Sequence, residues 1–420
     1  MIEIKTAQGN SYYYSAQSNK IYPIEMSNED CSEFHYILSD LYSSSKISMF
    51  TIEVTQQCNL RCKYCCYSGK YEDRRSHNSM QMSWDTLNSC VDFIERNMNQ
   101  DELPVVVSFY GGEALLAKDK ISWAINELQK RHPQVIFEFS ISTNGLLLNK
   151  KTIEWICSLK NLKVTVTIDG NKEMHDVNRV TVDGDGTFDQ IKKNLQMFYQ
   201  LMPDEYMNRI QYISTVESIS NVIYLNDFWI NDPLLKLTRP KHISSIIPNF
   251  KKGERVSASK EVFENFYRSA FNAYVNGEEN ILTDELKRLV NVVGNRRISQ
   301  EPEQQRFRTC LNDLYSCFIT ADGFLFACER FCKGYNIGSL KEGVIELRCR
   351  QLNESFLHRK NKYCKSCWAR RICRICATNL QNTEDQFLQY CESERMQIEL
   401  ALQYYCELLE FKHIKTNNYE

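Results

Sequence analysis

Several features that would restrict the function are absent from this sequence. The 420-residue chain has no apolar run of the roughly 18 residues that a membrane span needs. Its 51 basic and 53 acidic residues are interspersed and give a net charge of −2, which does not favour binding to nucleic acid or to an anionic membrane. The start, "MIEIKTAQGNSYYY", lacks the basic and apolar segments of a secretory signal. We therefore expect a cytoplasmic protein.

Cysteine is missing from the middle of the chain and abundant on both sides of it. There are 18 cysteines, and none lies between Cys157 and Cys310. One group falls within residues 58–66 and another within 310–391. In a reducing compartment, clustered cysteines are more often metal ligands than disulfides. The distribution predicts two metal-bearing regions joined by a metal-free scaffold.

Six apolar or β-branched segments predict a parallel sheet. Helical patterns alternate with most of them, and Ser83 is a candidate N-cap for the first helix. Six strand–helix units favour an α/β fold with a partial (β/α)6 barrel, whose chemistry lies at the C-terminal ends of the strands. The predicted strands are 48–55, 104–111, 136–143, 163–169, 210–217 and 241–248.

The pattern also predicts the division of the chain into segments. The N-terminal extension starts like a hairpin and continues with a helix-like stretch over 28–44. The predicted order is a short β/α extension (1–47), a partial barrel (48–250), a helical bridge (251–308), a cysteine-rich domain (309–395), and a C-terminal helix and tail (396–420).

The first cysteine group, "CNLRCKYCC", follows the first predicted strand. Cys58, Cys62 and Cys65 have the spacing C-x3-C-x2-C, which can hold three irons of a cubane cluster and leave a fourth open. The alternative is a structural metal site, in which Cys66 supplies the fourth ligand of a closed set.

This stretch resembles the cysteine motif of radical S-adenosylmethionine (SAM) enzymes. Four further stretches resemble the family in order: "YGGEALL" (110–116), "STNG" (142–145), "TIDGNKEMHDVNR" (167–179) and "GTFDQIKKNL" (186–195). The resemblance implies that the cysteine loop holds a 4Fe–4S cluster and that SAM chelates its open iron. It also implies a set of SAM-binding residues: Tyr64, Gly111, Gly112, Glu113, Asn144, Thr167, Asp169 and Arg179.

The C-terminal cysteines allow two interpretations. Two C-x2-C pairs alone would favour a zinc ribbon. The whole pattern resembles the SPASM domain of peptide-modifying radical SAM enzymes, which implies two auxiliary 4Fe–4S clusters. The implied ligands are Cys310, Cys317, Cys328 and Cys376 for the first, and Cys364, Cys367, Cys373 and Cys391 for the second. The spacing before Cys376 is x2 where the family usually has x3, and Cys332 and Cys349 are spare thiols that can substitute.

Glu329 directly follows the third cysteine of this pattern. In the family this position often carries an acidic residue or histidine near the substrate. Glu329 is therefore a candidate catalytic base, and the alternative is an ion pair with Arg330 or a neighbouring lysine.

Together these resemblances predict a radical SAM enzyme that modifies a ribosomally made peptide. The expected product is a thioether or carbon–carbon cross-link between side chains, and the alternative is formylglycine formation by an anaerobic sulfatase maturase. A non-catalytic zinc or iron–sulfur module is the alternative of another class, but it accounts for neither the barrel motifs nor Arg179.

Expected partners are the precursor peptide and an electron donor such as flavodoxin or ferredoxin. Residues 1–47 are too few for a complete leader-binding domain of roughly 80 residues, so that leader recognition is truncated, supplied by a separate protein or absent.

Overall fold

The computed structural model describes most of the chain. The described residues are 1–23, 35–38, 47–71, 74–101, 104–245, 258–298, 304–307, 309–311 and 314–417.

The N-terminal segment is a small antiparallel sheet, as the hairpin-like pattern predicts. It comprises β1 (Ile2–Lys5), β2 (Ser11–Ser15) and β3 (Lys20–Tyr22). The helix predicted over 28–44 is wrong at its centre, because β4 (His35–Leu38) is a strand. β4 pairs in parallel with β11 (Gln304–Phe307), a partner so distant in sequence that local periodicity cannot reveal it. The rest of the predicted helix lies outside the described residues.

The six predicted barrel strands are confirmed. They pair in parallel in the order of the chain, so that each strand lies beside the next. They are β5 (Met49–Thr55), β6 (Val105–Gly111), β7 (Phe137–Thr143), β8 (Leu162–Thr167), β9 (Ile210–Val216) and β10 (Pro240–Ser245).

Helices connect these strands. Ser83 is the N-cap of the first helix, as predicted, because its side chain accepts a hydrogen bond from Thr86 N. The helices are α1 (Trp84–Asn97), α2 (Lys118–Arg131), α3 (Lys150–Ser158), α4 (Lys172–Asn178), α5 (Phe188–Leu201), α6 (Pro203–Arg209) and α7 (Asn221–Asn231).

The two faces of the parallel sheet have different environments. On β6, Val105, Val107 and Phe109 are completely buried, whereas the alternate residues retain partial exposure. On β5, Phe50 contacts Phe93 of α1 with ring centroids 6.3 Å apart, which shows that this face packs against the helices. Since side chains alternate along a strand, the other face points into the barrel.

The C-terminal half adds strands to the same sheet. β12 (Ser316–Ile319) pairs in parallel with β5, on the side opposite β6. Three antiparallel strands follow it: β13 (Phe324–Phe326), β14 (Gly338–Ser339) and β15 (Gly343–Val344). The cysteine-rich region is therefore joined to the barrel through a continuous sheet of ten strands.

The described part of the C-terminal half contains four α-helices. Two of them lie in the predicted helical bridge, whereas no helix was predicted across residues 346–363. The last helix begins at Glu384, twelve residues before the predicted boundary at 396, and it carries Cys391. The helices are α8 (Lys260–Val275), α9 (Ile281–Gly294), α10 (Glu346–Tyr363) and α11 (Glu384–Asn417).

The two ends of the chain are held together by polar contacts. Thr6 and Tyr12 donate hydrogen bonds from their hydroxyls to Glu410 of α11, at 3.1 and 3.0 Å. Over the described ranges, no helix combines the length and the apolar character that crossing a membrane requires.

Candidate active site

A cleft of about 200 Å³ lies at the C-terminal ends of the barrel strands. This is the position that the strand–helix pattern predicts for the chemistry. It brings together residues from the cysteine loop and from the loops after β6, β7 and β8. The predicted residues that line it are Cys58, Cys62, Tyr64, Cys65, Gly111, Gly112, Asn144, Thr167 and Arg179.

The cysteine loop is held by backbone hydrogen bonds to the segment after α4. Arg61 N donates to Val180 O, and Lys63 N donates to Asn178 O, both at 2.8 Å. These bonds fix the loop between Cys58 and Cys65 against the side chain of Arg179. The loop is therefore positioned by a distant part of the sequence as well as by its own turns.

The thiols of this loop lie in an environment that disfavours an isolated thiolate. Burial raises the pKa of Cys58 to about 11. A hydrogen bond with Cys66, followed by burial, raises the pKa of Cys65 to about 12. A bound cation reverses this balance, because a coordinating thiol loses its proton. Three partly exposed thiols on one fixed loop therefore fit an iron–sulfur cluster.

The Gly-Gly turn after β6 packs directly against the start of the cysteine loop. Gly111 has φ of +140°, and a Cβ added there would lie 1.9 Å from Thr55 O. A Cβ on Gly112 would lie 2.2 Å from Gln57 O. Both positions therefore require glycine, and Gly112 N donates to Thr55 O at 2.9 Å.

Glu113 lies beneath the cleft and does not line it. Its carboxylate is fully buried and accepts hydrogen bonds from Thr143 Oγ1 at 2.7 Å, Asn144 N at 2.8 Å and Leu115 N at 3.1 Å. Burial raises the pKa of Glu113, and these hydrogen bonds act in the opposite direction. The carboxylate thus ties the turn after β6 to the turn after β7, and its two oxygens are directed at protein groups.

Tyr64, Asp169 and Arg179 form one buried network at the cleft wall. The Tyr64 hydroxyl donates to Asp169 Oδ2 at 2.5 Å and accepts from Arg179 Nη1 at 2.8 Å. Asp169 also accepts from Thr215 N at 2.8 Å. Burial alone would lower the pKa of Arg179, but Tyr64, Cys62 and Asp169 together raise it. Arg179 therefore remains a cation, and its buried Nε has no hydrogen-bond partner within the described part of the chain.

The cleft is also lined by residues that the sequence did not single out for the site, among them Tyr67, His77 and Tyr110. Tyr110 immediately precedes the Gly-Gly turn, and strand alternation from the buried Phe109 would have placed it inside the barrel. His77 lies in a loop without a recognisable motif, so the sequence offered no signal for it.

The C-terminal thiols include two groups of neighbouring residues. Cys391 has a pKa raised to about 12, by burial first and then by the neighbouring thiols of Cys364, Cys373 and Cys367. This set is the one that the SPASM resemblance implies for the second auxiliary cluster. No three Cys, His, Asp or Glu side chains among the described residues converge closely enough for a single metal ion.

The other group contains three of its four expected members. Burial raises the pKa of Cys328 to about 12, and Glu329, Cys310 and Cys376 act in the same direction. The structure therefore places Cys310, Cys328 and Cys376 near one another. Cys317, the fourth expected member, is not among these neighbours: burial raises its pKa, and its neighbouring thiol is Cys349, which also neighbours Cys310.

Glu329 is near both the group of Cys310, Cys328 and Cys376 and the cleft. Burial raises the pKa of Tyr110 in the cleft wall, with additional contributions from the nearby Cys66 and Glu329. The ion pair expected as an alternative is present but long, with 3.8 Å between Arg330 Nε and Glu329 Oε1 and with both side chains substantially exposed. Glu329 is thus accessible and adjacent to the cleft wall.

Comparisons with known proteins agree with this arrangement. Residues 52–214 match the radical SAM superfamily. The chain is 26% identical, over 83% of its length and 93% of the relative's, to a cysteine-type anaerobic sulfatase-maturating enzyme of Clostridium novyi (strain NT).

Two solved structures share the fold. The structure of anSMEcpe with bound AdoMet and Cp18Cys peptide has a TM-score of 0.62 at 18% identity, covering 87% of this chain and 99% of that one. Streptococcus suis SuiB bound to the precursor peptide SuiA has a TM-score of 0.51 at 15% identity, covering 81% of this chain and 74% of that one. With its cysteine loop, Gly-Gly turn and buried arginine around one cleft, this chain contains a radical SAM domain over residues 52–214, and it is an enzyme.

Proposed function

We propose that this enzyme forms a thioether or carbon–carbon cross-link between side chains of a ribosomally made peptide. The observation that carries this proposal is the position of Glu329. It lies beside Cys328 of the C-terminal thiol group and beside Tyr110 of the cleft wall. A substrate at the mouth of the cleft therefore meets the cysteine loop on one side and a carboxylate on the other.

The residues of the cleft fit a SAM-binding iron–sulfur cluster. In this proposal Cys58, Cys62 and Cys65 hold three irons, and Arg179 directs its free Nε–H toward SAM. When bound, SAM and the clusters supply a 5′-deoxyadenosyl radical that takes one hydrogen atom from the substrate and a centre that takes up one electron. The protein supplies orientation and keeps water away from the reacting atoms.

Glu329 has a specific task in this reaction. Joining two side chains removes one hydrogen atom from one of them and a proton with an electron from the other. In this proposal the Glu329 carboxylate, which lies near Tyr110 of the cleft wall, accepts that proton. Tyr64 and Asp169 act indirectly, because their hydrogen bonds fix the guanidinium of Arg179.

The C-terminal cysteines belong to a SPASM domain with two auxiliary 4Fe–4S clusters in this proposal. The grouping of Cys364, Cys367, Cys373 and Cys391 supports the second cluster. The grouping of Cys310, Cys328 and Cys376 supports the first. The proposed segments are a barrel over 48–250 and a SPASM domain over 309–395, and the proposed electron donor is a flavodoxin or ferredoxin.

The test is mass spectrometry of synthetic peptides incubated with the reconstituted enzyme, SAM and dithionite under anaerobic conditions. The peptides carry Cys, Ser, Lys and aromatic residues, and 5′-deoxyadenosine is measured in the same samples. A cross-link removes two hydrogens and leaves two side chains joined in the fragmentation spectrum. The proposal fails if 5′-deoxyadenosine forms in stoichiometric excess and the modified peptides contain only single-residue changes.

Formylglycine formation is a second candidate. The similarity to the Clostridium novyi sulfatase-maturating enzyme favours it, because that similarity extends over 93% of the relative. Conversion of cysteine to formylglycine removes one sulfur and two hydrogens, adds one oxygen and leaves an aldehyde. Labelling with a hydrazide probe detects the aldehyde, whereas a cross-linked peptide does not react. The same experiment therefore separates the two candidates.

A further inference from the structure

His175 is a buried histidine that the proposed function does not use. It lies in α4, between the turn after β8 and Arg179, and its side chain is fully buried. It is not one of the described residues that line the cleft, so it can act on a bound molecule only through its neighbours. Burial, followed by the charge of Arg179, lowers the pKa of His175 to about 3, so the ring stays neutral.

The hydrogen bonds of the His175 ring determine where its proton lies. The backbone N–H of Asp169 donates to His175 Nδ1 at 3.4 Å, so this nitrogen is an acceptor. The proton of the neutral ring is therefore on Nε2, which lies 3.1 Å from Thr187 Oγ1 and donates to it. The Thr187 hydroxyl in turn donates to Arg179 O at 3.0 Å. One tautomer therefore satisfies the whole chain of hydrogen bonds from Asp169 to Arg179.

Thr187 does not use its hydroxyl as a threonine at the start of a helix usually does. It is the N-cap of α5, yet its side chain accepts no hydrogen bond from the described first turn of that helix. The carboxylate of Asp176 serves this end instead, because Asp176 Oδ1 accepts from Thr187 N at 2.8 Å and from Phe188 N at 2.9 Å. Thr187 is only 1% exposed, and its hydroxyl is thus left for Arg179 O.

These hydrogen bonds hold the backbone at both ends of the buried network in the cleft wall. The side chains of Asp169 and Arg179 meet at the Tyr64 hydroxyl. Their backbones are joined through His175 and Thr187. Arg179 N also donates to His175 O at 2.9 Å, at the end of α4. The Arg179 backbone is therefore held at both its N–H and its carbonyl, at the point where the chain leaves the helix.

The same stretch of backbone supports the cysteine loop. Lys63 N donates to Asn178 O, and Arg61 N donates to Val180 O, so the two acceptors flank Arg179 in the chain. A shift of the Arg179 backbone would therefore move both its guanidinium and the cysteine loop. Such shifts weaken binding, because a hydrogen bond loses strength steeply as its distance and angle depart from their preferred values.

We infer that His175 and Thr187 are positioning residues for SAM, because their hydrogen bonds fix the Arg179 backbone and so hold its guanidinium and the cysteine loop around the same cleft. This inference rests on the proposed function, which has Arg179 direct its free Nε–H toward SAM. Neither His175 nor Thr187 is among the described cleft-lining residues, so neither takes part in the chemistry. The expected consequence of losing their hydrogen bonds is a lower affinity for SAM, with little change in the rate of SAM cleavage by the saturated enzyme.

The first test compares Thr187→Val with Thr187→Ser. Valine keeps the shape of the side chain and removes the hydroxyl, whereas serine keeps the hydroxyl. Thr283→Val is the matched control, because Thr283 is a fully buried threonine in the first turn of α9, and its hydroxyl donates to Asn280 O at 2.9 Å. Helix α9 packs against α8 and α11. Each reconstituted enzyme is titrated anaerobically with SAM, and its thermal midpoint and its kinetics of SAM cleavage are measured.

We expect Thr187→Val to weaken SAM binding by about tenfold, as the loss of one buried hydrogen bond should. The KM for SAM should rise with little change in kcat. Thr187→Ser should bind SAM as the wild type does, and Thr283→Val should lower the thermal midpoint without changing the dissociation constant of SAM. A wild-type dissociation constant in Thr187→Val, with a lower thermal midpoint, would overturn the inference, because the hydroxyl would then serve stability alone.

His175→Leu tests the other member of the chain of hydrogen bonds. It should also weaken SAM binding, and adding Thr187→Val to it should weaken binding no further, because both residues act through one chain of bonds. In the reconstituted enzyme without SAM, hydrogen–deuterium exchange over residues 59–66 should be faster in Thr187→Val and His175→Leu but not in Thr283→Val. Fully additive effects on SAM binding would overturn the inference. If circular dichroism shows that His175→Leu does not fold, the Thr187 pair decides the question.

Failure of the proposed function looks different in the same titrations. If Arg179→Leu binds SAM as tightly as the wild type, the role that the proposed function gives to Arg179 is wrong, and the inference about His175 and Thr187 fails with it. If Arg179→Leu weakens SAM binding and Thr187→Val does not, only the inference about His175 and Thr187 fails.

Discussion

The two cysteine-rich regions of this chain differ in the sequence distance between their members. Cys58, Cys62 and Cys65 lie within one loop, and the turn after β6 and the segment after α4 hold that loop in place. The C-terminal thiols come from loops, a strand and two helices across residues 310–391. The members of the first set, called the local set below, can be recognised from their spacing in the sequence. The members of the second set, called the dispersed region below, come together only when distant elements of the fold pack against one another.

The largest effect should follow from removing the local set. Changing Cys58, Cys62 and Cys65 together to Ala should abolish SAM cleavage, because no thiolate remains to hold the cluster. About eight irons should stay bound on the other region. Iron analysis and measurement of 5′-deoxyadenosine check both parts. Normal 5′-deoxyadenosine production by this variant would refute the assignment of the loop.

Changes in the dispersed region should leave SAM cleavage intact and abolish the peptide product. Cys328→Ala and Glu329→Gln should both permit SAM cleavage and block formation of modified peptide. The two variants differ in their iron, because only the cysteine change should perturb a cluster. The measurement is 5′-deoxyadenosine and peptide product side by side. Wild-type product yield from both variants would show that this region has only a structural role.

A smaller effect should come from the buried network beside the local set. Arg179→Leu should weaken SAM binding by about 2–4 kcal/mol, up to several hundredfold, because a charge-assisted contact is lost. Arg96→Leu is the matched control, since Arg96 lies at the exposed end of α1 and donates to Asp92 O. Isothermal titration with SAM gives both dissociation constants. Equal constants for the two variants would exclude Arg179 from the site.

The smallest effect should come from a change in the barrel scaffold, at the N-cap of α1, and it should be an effect on stability. Ser83→Ala removes the hydrogen bond from Thr86 N to Ser83 Oγ at 3.0 Å and should cost about 1 kcal/mol of stability. The thermal midpoint should fall, while the iron content and 5′-deoxyadenosine yield should not change. Asn88→Ala is a control on the exposed surface of the same helix. An equal fall in both variants would mean that the cap has no special role.

Local patterns predicted much of the barrel. Buried strands, a capped helix and glycines that must lack a Cβ each leave a mark within a few residues of sequence. Gly111 is an example, because its positive φ belongs to the "YGGE" turn, whereas the Thr55 O that excludes a Cβ there comes from the neighbouring strand. The roles of individual side chains were less accessible. The resemblance implies that Glu113 is a SAM-binding residue, and the structure adds that both its oxygens accept hydrogen bonds from backbone and hydroxyl donors of neighbouring turns.

The sequence by itself determined the barrel strands and the cysteine loop, because both depend on short-range patterns. The resemblance to radical SAM enzymes implied that Tyr64, Asp169 and Arg179 belong to one site, and the structure joins them by hydrogen bonds. Only the tertiary structure decided that β4 is a strand, that Glu329 lies near Tyr110, and that Cys317 is buried in β12 beside β5. Those outcomes depend on pairing between segments far apart in sequence. Such pairing stabilises the protein only after distant segments have come together during folding. A short stretch of sequence therefore carries no signal for it.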